Sequence, residues 1–363
     1  MIEKGLYNHI PFCEKLCSYC DFAKVIYNKK QVDDYLLELK KELETSNIKD
    51  ITSIYIGGGT PSSLDTHQLE FLFECVSKFY HEGISFTIEA NVENLTEEKI
   101  KLLVKYHVNR VSLGIQSFQD KLLNKMNRKH TFSEVKSLID LLHYYHIDDV
   151  NGDLIYGFKD ESLDDLKNDL DLFMKLGLTH ISTYALMIDK NTLLGIKNEE
   201  EISQDIYRKE YDFIVSYLEK NGFMRYEVSN FAKENYQSKH NLIYWRNQEY
   251  YGIGVGASGY INQVRYDHTK SVVHYNQGKR IINQEKISLK DSQFYHLMLG
   301  LRLEEGVNIA KFNQIYKQDL LVLYKDKIED LIKRNLIEIK DGFLKITKQN
   351  FYIMDYILEK LLF

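Results

Sequence analysis

Between residue 6 and about residue 185, six short β-rich runs alternate with longer stretches of helical period. Few folds satisfy that alternation. Strands joined by helix-length connections pair in parallel, and a parallel sheet must be covered on both faces, so the pattern demands βα units around one sheet or barrel. The strand-type runs fall at 6–10, 51–56, 85–89, 110–115, 150–155 and 180–184, with helical stretches such as 32–43, 69–80 and 134–145 between them. Thr96 precedes Glu97 and Glu98 as an N-cap with negative charge in the first turn. Six units make an incomplete (β/α)6 barrel of α/β class.

Functional groups in such barrels gather at the C-terminal ends of the strands. Here the polar words do the same. His9-Ile10-Pro11-Phe12-Cys13-Glu14-Lys15-Leu16-Cys17-Ser18-Tyr19-Cys20 follows the first strand and Gly57-Gly58-Gly59-Thr60 the second. Glu89, Gln116, Asp153 and Tyr184-Ala185 stand at or near the ends of the next four. Glu89 closes an apolar run, where an unpaired charge is expensive, so a cationic partner is expected. Three successive glycines make a tight turn or clear a loop for backbone approach to a ligand; beside the cysteine loop the second use is expected.

Three of the four cysteines lie within eight residues at C-x3-C-x2-C spacing. They cannot close a four-ligand site alone. A structural zinc needs a fourth Cys or His, for which His9 is the candidate, whereas an iron-sulfur cluster can leave one iron open. Reduced thiols without metal are the third possibility, and a 4Fe-4S cluster on Cys13, Cys17 and Cys20 is the expectation. Cys75, within a helical period, reads as a small core residue.

The chain of 363 residues accommodates one large domain and a small one. A net charge of -6 gives no global attraction to nucleic acid or to anionic membrane. Met1-Ile2-Glu3-Lys4-Gly5 leads into the first strand without a signal-peptide pattern, and no apolar run reaches membrane-spanning length. A cytoplasmic protein with no transmembrane segment is expected, and clustered cysteines suit a reducing compartment.

Beyond the barrel, a helix over 203–221 closes at Gly222. The word His240-Asn241-Leu242-Ile243-Tyr244-Trp245 follows, with the chain's one tryptophan. The glycines of 250–259 lack the βαβ frame of a dinucleotide site and read as backbone packed on a flat cofactor or another strand. Helices are expected at 291–303, 309–316 and 321–334, then a hairpin about Asp341-Gly342 and a last helix capped by Thr347 and running to 362. The division expected is a core of 1–285, carrying the partial barrel to about 185 and the accessory segment with the HNxxYW word, and a C-terminal domain of 286–363.

The cysteine spacing with an aromatic before the last Cys resembles the radical S-adenosylmethionine (SAM) superfamily. Tyr7-Asn8-His9-Ile10-Pro11-Phe12-Cys13 and Ile56-Gly57-Gly58-Gly59-Thr60-Pro61-Ser62 are similar to words of its oxygen-independent coproporphyrinogen III oxidase group and the sister branch of heme chaperones. The resemblance spans essentially the whole chain. It implies a radical SAM barrel with a small helical, winged-helix-like C-terminal domain that covers the open barrel and does not bind nucleic acid. It also implies a cluster whose fourth iron SAM chelates, SAM being cleaved to methionine and a 5'-deoxyadenosyl radical. Tyr7, Gly58, Gly59, Thr60, Glu89, Gln116, Arg128, Asp153 and Ala185 fall where the oxidase group contacts SAM, with Tyr19 next to the cluster. The family writes Leu-Pro where Phe158-Lys159 stands here, which puts the loop after the fifth strand in question.

True oxidases of the group carry a fourth Cys two residues after the third and a longer N-terminal extension. Phe22 occupies that fourth position and six residues precede Tyr7. The HNxxYW word belongs to the chaperone branch, where it is associated with heme. The expectation is therefore a heme chaperone rather than a coproporphyrinogen oxidase, with His240, Tyr244 and Trp245 contacting heme, an acceptor protein receiving it and an electron donor serving the cluster. Against this, His240 alone reads as a hydrogen-bonded structural histidine beside a Tyr-Trp pair.

Overall fold

The computed structural model describes residues 3–362; Met1-Ile2, on which the leader-free expectation partly rests, lies outside them. Strands Gly5–Ile10 (β1), Ser53–Gly58 (β2), Ser85–Asn91 (β3), Arg110–Gln116 (β4), Asp149–Tyr156 (β5) and His180–Ala185 (β6) pair in that order, each neighbour parallel. All seven residues of β4 are buried, as a central strand covered on both faces requires. The outer face packs on helices including Lys29–Thr45, Thr66–Ser77, Glu97–Lys105 and Phe132–Tyr144. Each starts at a side-chain cap, and Thr96 accepts from the Lys99 amide as its position predicts.

The sheet runs further than the six runs indicated. Beyond β6 it adds Met224–Arg225 (β7) and Asn230–Ala232 (β8), antiparallel to each other, with β8 antiparallel to β6. Beyond β1 it adds Tyr250–Ile253 (β9), parallel to β1, then an antiparallel ribbon of Ser258–Ile261 (β10), Val264–His268 (β11) and Ile281–Lys286 (β12). The barrel stays open: in the twelve-stranded order β12 and β7 are the two edges. The 250–259 glycines serve strand packing, since a Cβ on Gly252 would lie 1.9 Å from the Ser258 carbonyl oxygen.

The C-terminal region has its own core, with Leu297, Phe312, Leu331, Leu344 and Ile357 fully buried or nearly so. Helices Leu289–Gly300, Ile309–Tyr316 and Lys325–Lys333 surround a three-stranded sheet of Val307–Asn308 (β13), Ile337–Lys340 (β14) and Phe343–Ile346 (β15). Asp341 and Gly342 both have positive φ, as a tight hairpin needs. Two expectations fail here. The helix expected at 321–334 breaks at Tyr324 into Leu320–Leu323 and Lys325–Lys333. Thr347 caps nothing, because its hydroxyl donates to the Asn335 and Leu336 carbonyls and a 3-10 stretch, Lys348–Ile353, intervenes before Met354–Leu362. Among the described residues no helix is long and apolar enough to cross a membrane.

Candidate functional site

The cysteine loop is anchored from three directions. Phe12–Cys13 pairs in parallel with Val25–Ile26, which closes the loop on itself. The Ser18 amide donates to the Met126 carbonyl, the Asn127 side chain to the Leu16 carbonyl, and the Leu194 amide to the Ser18 carbonyl. Cys13 is buried, while Cys17 and Cys20 are half-buried, and all three are free thiols. Burial pushes the Cys13 thiol up to about 11 and raises that of Cys20. The Thr60 hydroxyl and Lys24 pull the Cys13 thiol down, but burial outweighs both, so a metal's charge would favour the thiolate there.

The choice between metals turns on His9. Its Nδ1 shares a 3.0 Å hydrogen bond with the Tyr7 hydroxyl and its Nε2 one of 2.9 Å with the Ala23 carbonyl. Neither nitrogen is left for zinc. Among the described residues no three His, Cys, Asp or Glu side chains converge tightly enough to hold a single ion. With His9 committed, the loop supplies three thiols, one ligand fewer than a structural zinc needs and the number that a cluster with one open iron takes. Cys75 lies buried on helix Thr66–Ser77, as expected of a core residue.

The glycine loop lies directly against the cysteines. A Cβ on Gly59 would stand 3.0 Å from Cys13 Sγ and 2.9 Å from the Phe12 carbonyl oxygen. Gly58 has φ +116, and its Cβ would strike the His9 ring at 2.6 Å. Thr60 donates to Cys13 Sγ at 3.4 Å. From Thr60 a polar chain crosses the barrel: Asn91 Nδ2 donates to the Thr60 hydroxyl, and the buried Arg128 donates to Asn91 Oδ1 at 2.7 Å, to the Gly114 carbonyl at 2.6 Å and to Glu93 at 3.2 Å. Burial alone would raise Glu93, but His130 and Arg128 outweigh it and hold the carboxylate at about 2.

Glu89 accepts from the Tyr55 hydroxyl at 2.7 Å and the Gly58 amide at 2.9 Å. Burial nevertheless pushes it up to about 7, with Asp153 adding to the rise. Asp153, which accepts from Asn151 Nδ2, is likewise raised by burial to about 6. Gln116 has φ +73 and a buried Oε1 without a partner among the described residues, which marks a strained group with unused acceptor capacity. Tyr184 is 43% exposed, yet burial raises its phenol well above the usual range. It is enclosed by protein and still reachable by water, as a residue facing the lumen must be. Ala185 is exposed at the end of β6 and Tyr19 packs against the cluster of Leu122, Met126 and Leu194. The rim therefore presents two carboxyls that are hydrogen-bonded but without an ion-pair partner among the described residues, an orphaned amide oxygen and bare backbone beside the cysteine loop, groups able to meet a ligand that carries positive charge.

Asn91 and Glu93 were not among the residues singled out from sequence, although they position Arg128. Phe158-Lys159, which replaces Leu-Pro in the loop after β5, is held in place by contacts of its own. Phe158 is fully buried against Leu122, Ile155 and Leu186, and exposed Lys159 pairs with Glu200.

The HNxxYW word forms helix Lys239–Trp245, capped by Ser238. It divides between two places. His240 and Tyr244, one turn apart, share a 2.8 Å hydrogen bond, while His240 Nδ1 bonds the Ser53 hydroxyl at 2.8 Å and its ring stacks on Tyr55 at 4.9 Å. Gly5 and Ser53 begin their strands, so His240 plugs the barrel at the end opposite the cysteine loop. Burial lowers the imidazole to about 3, and both ring nitrogens are occupied by hydroxyls. In this arrangement His240 offers iron no lone pair, which is the structural-histidine alternative. Trp245 instead lines an open cavity against the C-terminal region.

Comparison with known proteins agrees with this geometry. Residues 7–173 match the radical SAM superfamily and residues 287–353 the HemN C-terminal domain. The chain is 37% identical to the heme chaperone HemW of Lactococcus lactis, covering 100% of this chain and 98% of that protein. It is 33% identical to HemW of Bacillus subtilis, covering 95% and 96%, and 30% identical to that of Escherichia coli, covering 94% and 91%. In fold it is similar to the coproporphyrinogen III oxidase HemN of Escherichia coli, described as a radical SAM enzyme, with a TM-score of 0.87 at 18% identity over 99% of this chain and 90% of that one.

Proposed function

This chain belongs to the heme chaperone HemW family within the radical SAM superfamily, and we propose that it binds heme and passes it to an acceptor protein. The observation that carries the reading is 30–37% identity over nearly the whole chain with proteins of that name in several bacteria. Exposed Phe22, where the oxidases place a fourth cysteine, supports the same branch. Cys13, Cys17 and Cys20 would hold a 4Fe-4S cluster. Tyr7, Gly58, Gly59, Thr60, Glu89, Gln116, Arg128, Asp153 and Ala185 would hold SAM, with Tyr19 beside the cluster.

Together those groups supply one-electron chemistry when bound, which implies an electron donor as a further partner. The chain's own contribution is positioning. Arg128 fixes the Gly114 carbonyl and Asn91, Asn91 fixes Thr60, and Thr60 donates to Cys13. Glu89 holds the Gly58 amide so that the glycine backbone stays open toward the rim. Glu89 and Asp153 give a cationic ligand two carboxyls in a site poor in competing water.

The test is an anaerobic comparison of the reconstituted protein for saturable heme binding and for decarboxylation of coproporphyrinogen III. The reading requires heme binding with transfer to an acceptor. Catalytic decarboxylation without saturable heme binding establishes the oxidase instead.

A further inference from the structure

A chaperone for heme needs a ligand for iron in a place the macrocycle can enter and leave, and His240 is closed at both nitrogens. The chain has twelve histidines. His9, His81, His180, His240 and His268 each have both ring nitrogens engaged. His130 is buried beside Glu93 within the Arg128 network. His67, His107, His146 and His274 are exposed on the surface and His143 is half-buried under Gly177.

His296 differs from all of these. It lines a cavity of about 350 Å³ between the Lys239–Trp245 helix and the C-terminal region, with Trp245, Leu303, Val307, Phe343 and Lys311 among the other walls. One ring nitrogen, Nδ1, shares a long 3.4 Å hydrogen bond with the Tyr316 hydroxyl, and Nε2 has no partner among the described residues. The ring is fixed edge-on to Phe312 and Tyr316 at 5.4 and 5.6 Å. A hydrogen bond on one nitrogen with the other open is the arrangement of a ligating imidazole.

The walls suit the rest of the molecule. Leu303, Val307, Phe343 and the Trp245 ring offer apolar faces. Arg246 is paired with Glu305, which lines the cavity together with Glu3, so exposed Lys311, without an ion-pair partner among the described residues, is the cation left to meet an inserted macrocycle's carboxylate. Trp245 Nε1 and Gln248 Oε1, both on lining residues, are buried without partners among the described residues, so the wall holds unused hydrogen-bonding capacity.

We propose that this cavity receives the edge of a heme, with His296 Nε2 as the iron ligand and Lys311 facing a propionate. The inference rests on the heme-chaperone reading and adds to it the place and the ligand. On this reading His240 and Tyr244 seat the helix, and Trp245 forms the wall.

The experiment is a hemin titration, followed by Soret absorption and electron paramagnetic resonance, of the anaerobically reconstituted full-length protein and three variants. His296→Ala should weaken binding about tenfold or more and move the spectrum toward unligated hemin, with added imidazole restoring it. His296→Met, close in volume and still a ligand, should bind with a shifted spectrum, which separates ligation from folding. Lys311→Glu, on the exposed rim, should weaken binding about two- to fivefold without moving the Soret band. Wild-type binding with an unchanged spectrum and affinity in His296→Ala overturns this inference and leaves the chaperone reading standing. Absence of heme binding by the wild type overturns both.

Discussion

Glu89 accepts a 2.9 Å hydrogen bond from the Gly58 amide, tying the end of β3 to the glycine loop at the end of β2. The bond favours the ionised carboxylate, as does the one from Tyr55, yet burial prevails and raises the group to about 7. The rim thus keeps a carboxyl poised between charge states until a cation arrives.

Binding of SAM, whose sulfonium is cationic at every pH, should therefore strengthen as pH rises through about 7. The ionised fraction of a group at that value grows about tenfold from pH 6 to pH 8, and SAM affinity should follow it in sign and rough size. Glu89→Gln should bind weakly and lose the pH dependence. Equilibrium binding to the reduced-cluster protein at the two pH values measures both, and a flat wild-type profile would refute the assignment.

The cysteine loop makes a sharper demand. Cys13→Ala, Cys17→Ala or Cys20→Ala should each abolish the cluster, whereas Cys75→Ala, buried on a helix away from the loop, should leave it intact. Iron and sulfide analysis after anaerobic reconstitution should give about four of each per chain for the wild type and Cys75→Ala. Full iron loading in Cys17→Ala would contradict the assignment.

How much of this was legible in the sequence depends on how local each signal is. Glu89, Gln116 and Asp153 stood out because they are polar within apolar strands, and the cysteines because they share one loop. Asn91 ends β3 and Glu93 sits in the polar turn after it; their role is set by Arg128, 37 and 35 residues away. The pairing of β9 beside β1 leaves no local mark either, since Tyr250 meets Gly5 only in the folded sheet. His240 was visible as a motif, but its partner Ser53 lies 187 residues away, and that contact decides what the imidazole does. His296 falls inside a helical period with no pattern to distinguish it.

His240→Ala should destabilise the protein by about 3 kcal/mol, because it opens a space beneath Tyr55 and orphans the Ser53 and Tyr244 hydroxyls. The neutral histidine also sets a pH dependence. Its folded-state value of about 3 lies below the unfolded one, so unfolding takes up a proton, and this contribution is present above about pH 6.5 and lost as pH falls toward 3. His240→Ala should lose less stability on acidification than the wild type over that window. Urea midpoints at pH 5 and pH 7.5 check both; exposed Lys239→Ala, its neighbour on the helix, should shift neither midpoint.

The loop after β5 offers the opposite sign. Glu161 Oε2 accepts from the Gly157 and Phe158 amides, while Glu161 Oε1 and Glu210 Oε2 are buried without partners among the described residues. Burial raises both carboxyls, and Glu210 raises Glu161 further, to about 8 and 7 for Glu161 and Glu210. Because the folded-state values exceed the unfolded ones, the folded form retains protons that the unfolded form has released, so stability is full below about pH 4.5 and declines as pH rises through 7 to 8. Gln at position 161 keeps an acceptor for the two amides and removes one buried charge. Glu161→Gln should match the wild type near pH 5 and exceed its stability by about 2 kcal/mol at pH 8.5. Denaturant midpoints across that range measure the difference. A gap that stays constant from pH 5 to pH 8.5 would show that Glu161 is ionised in the folded protein across that range and that burial does not hold its proton.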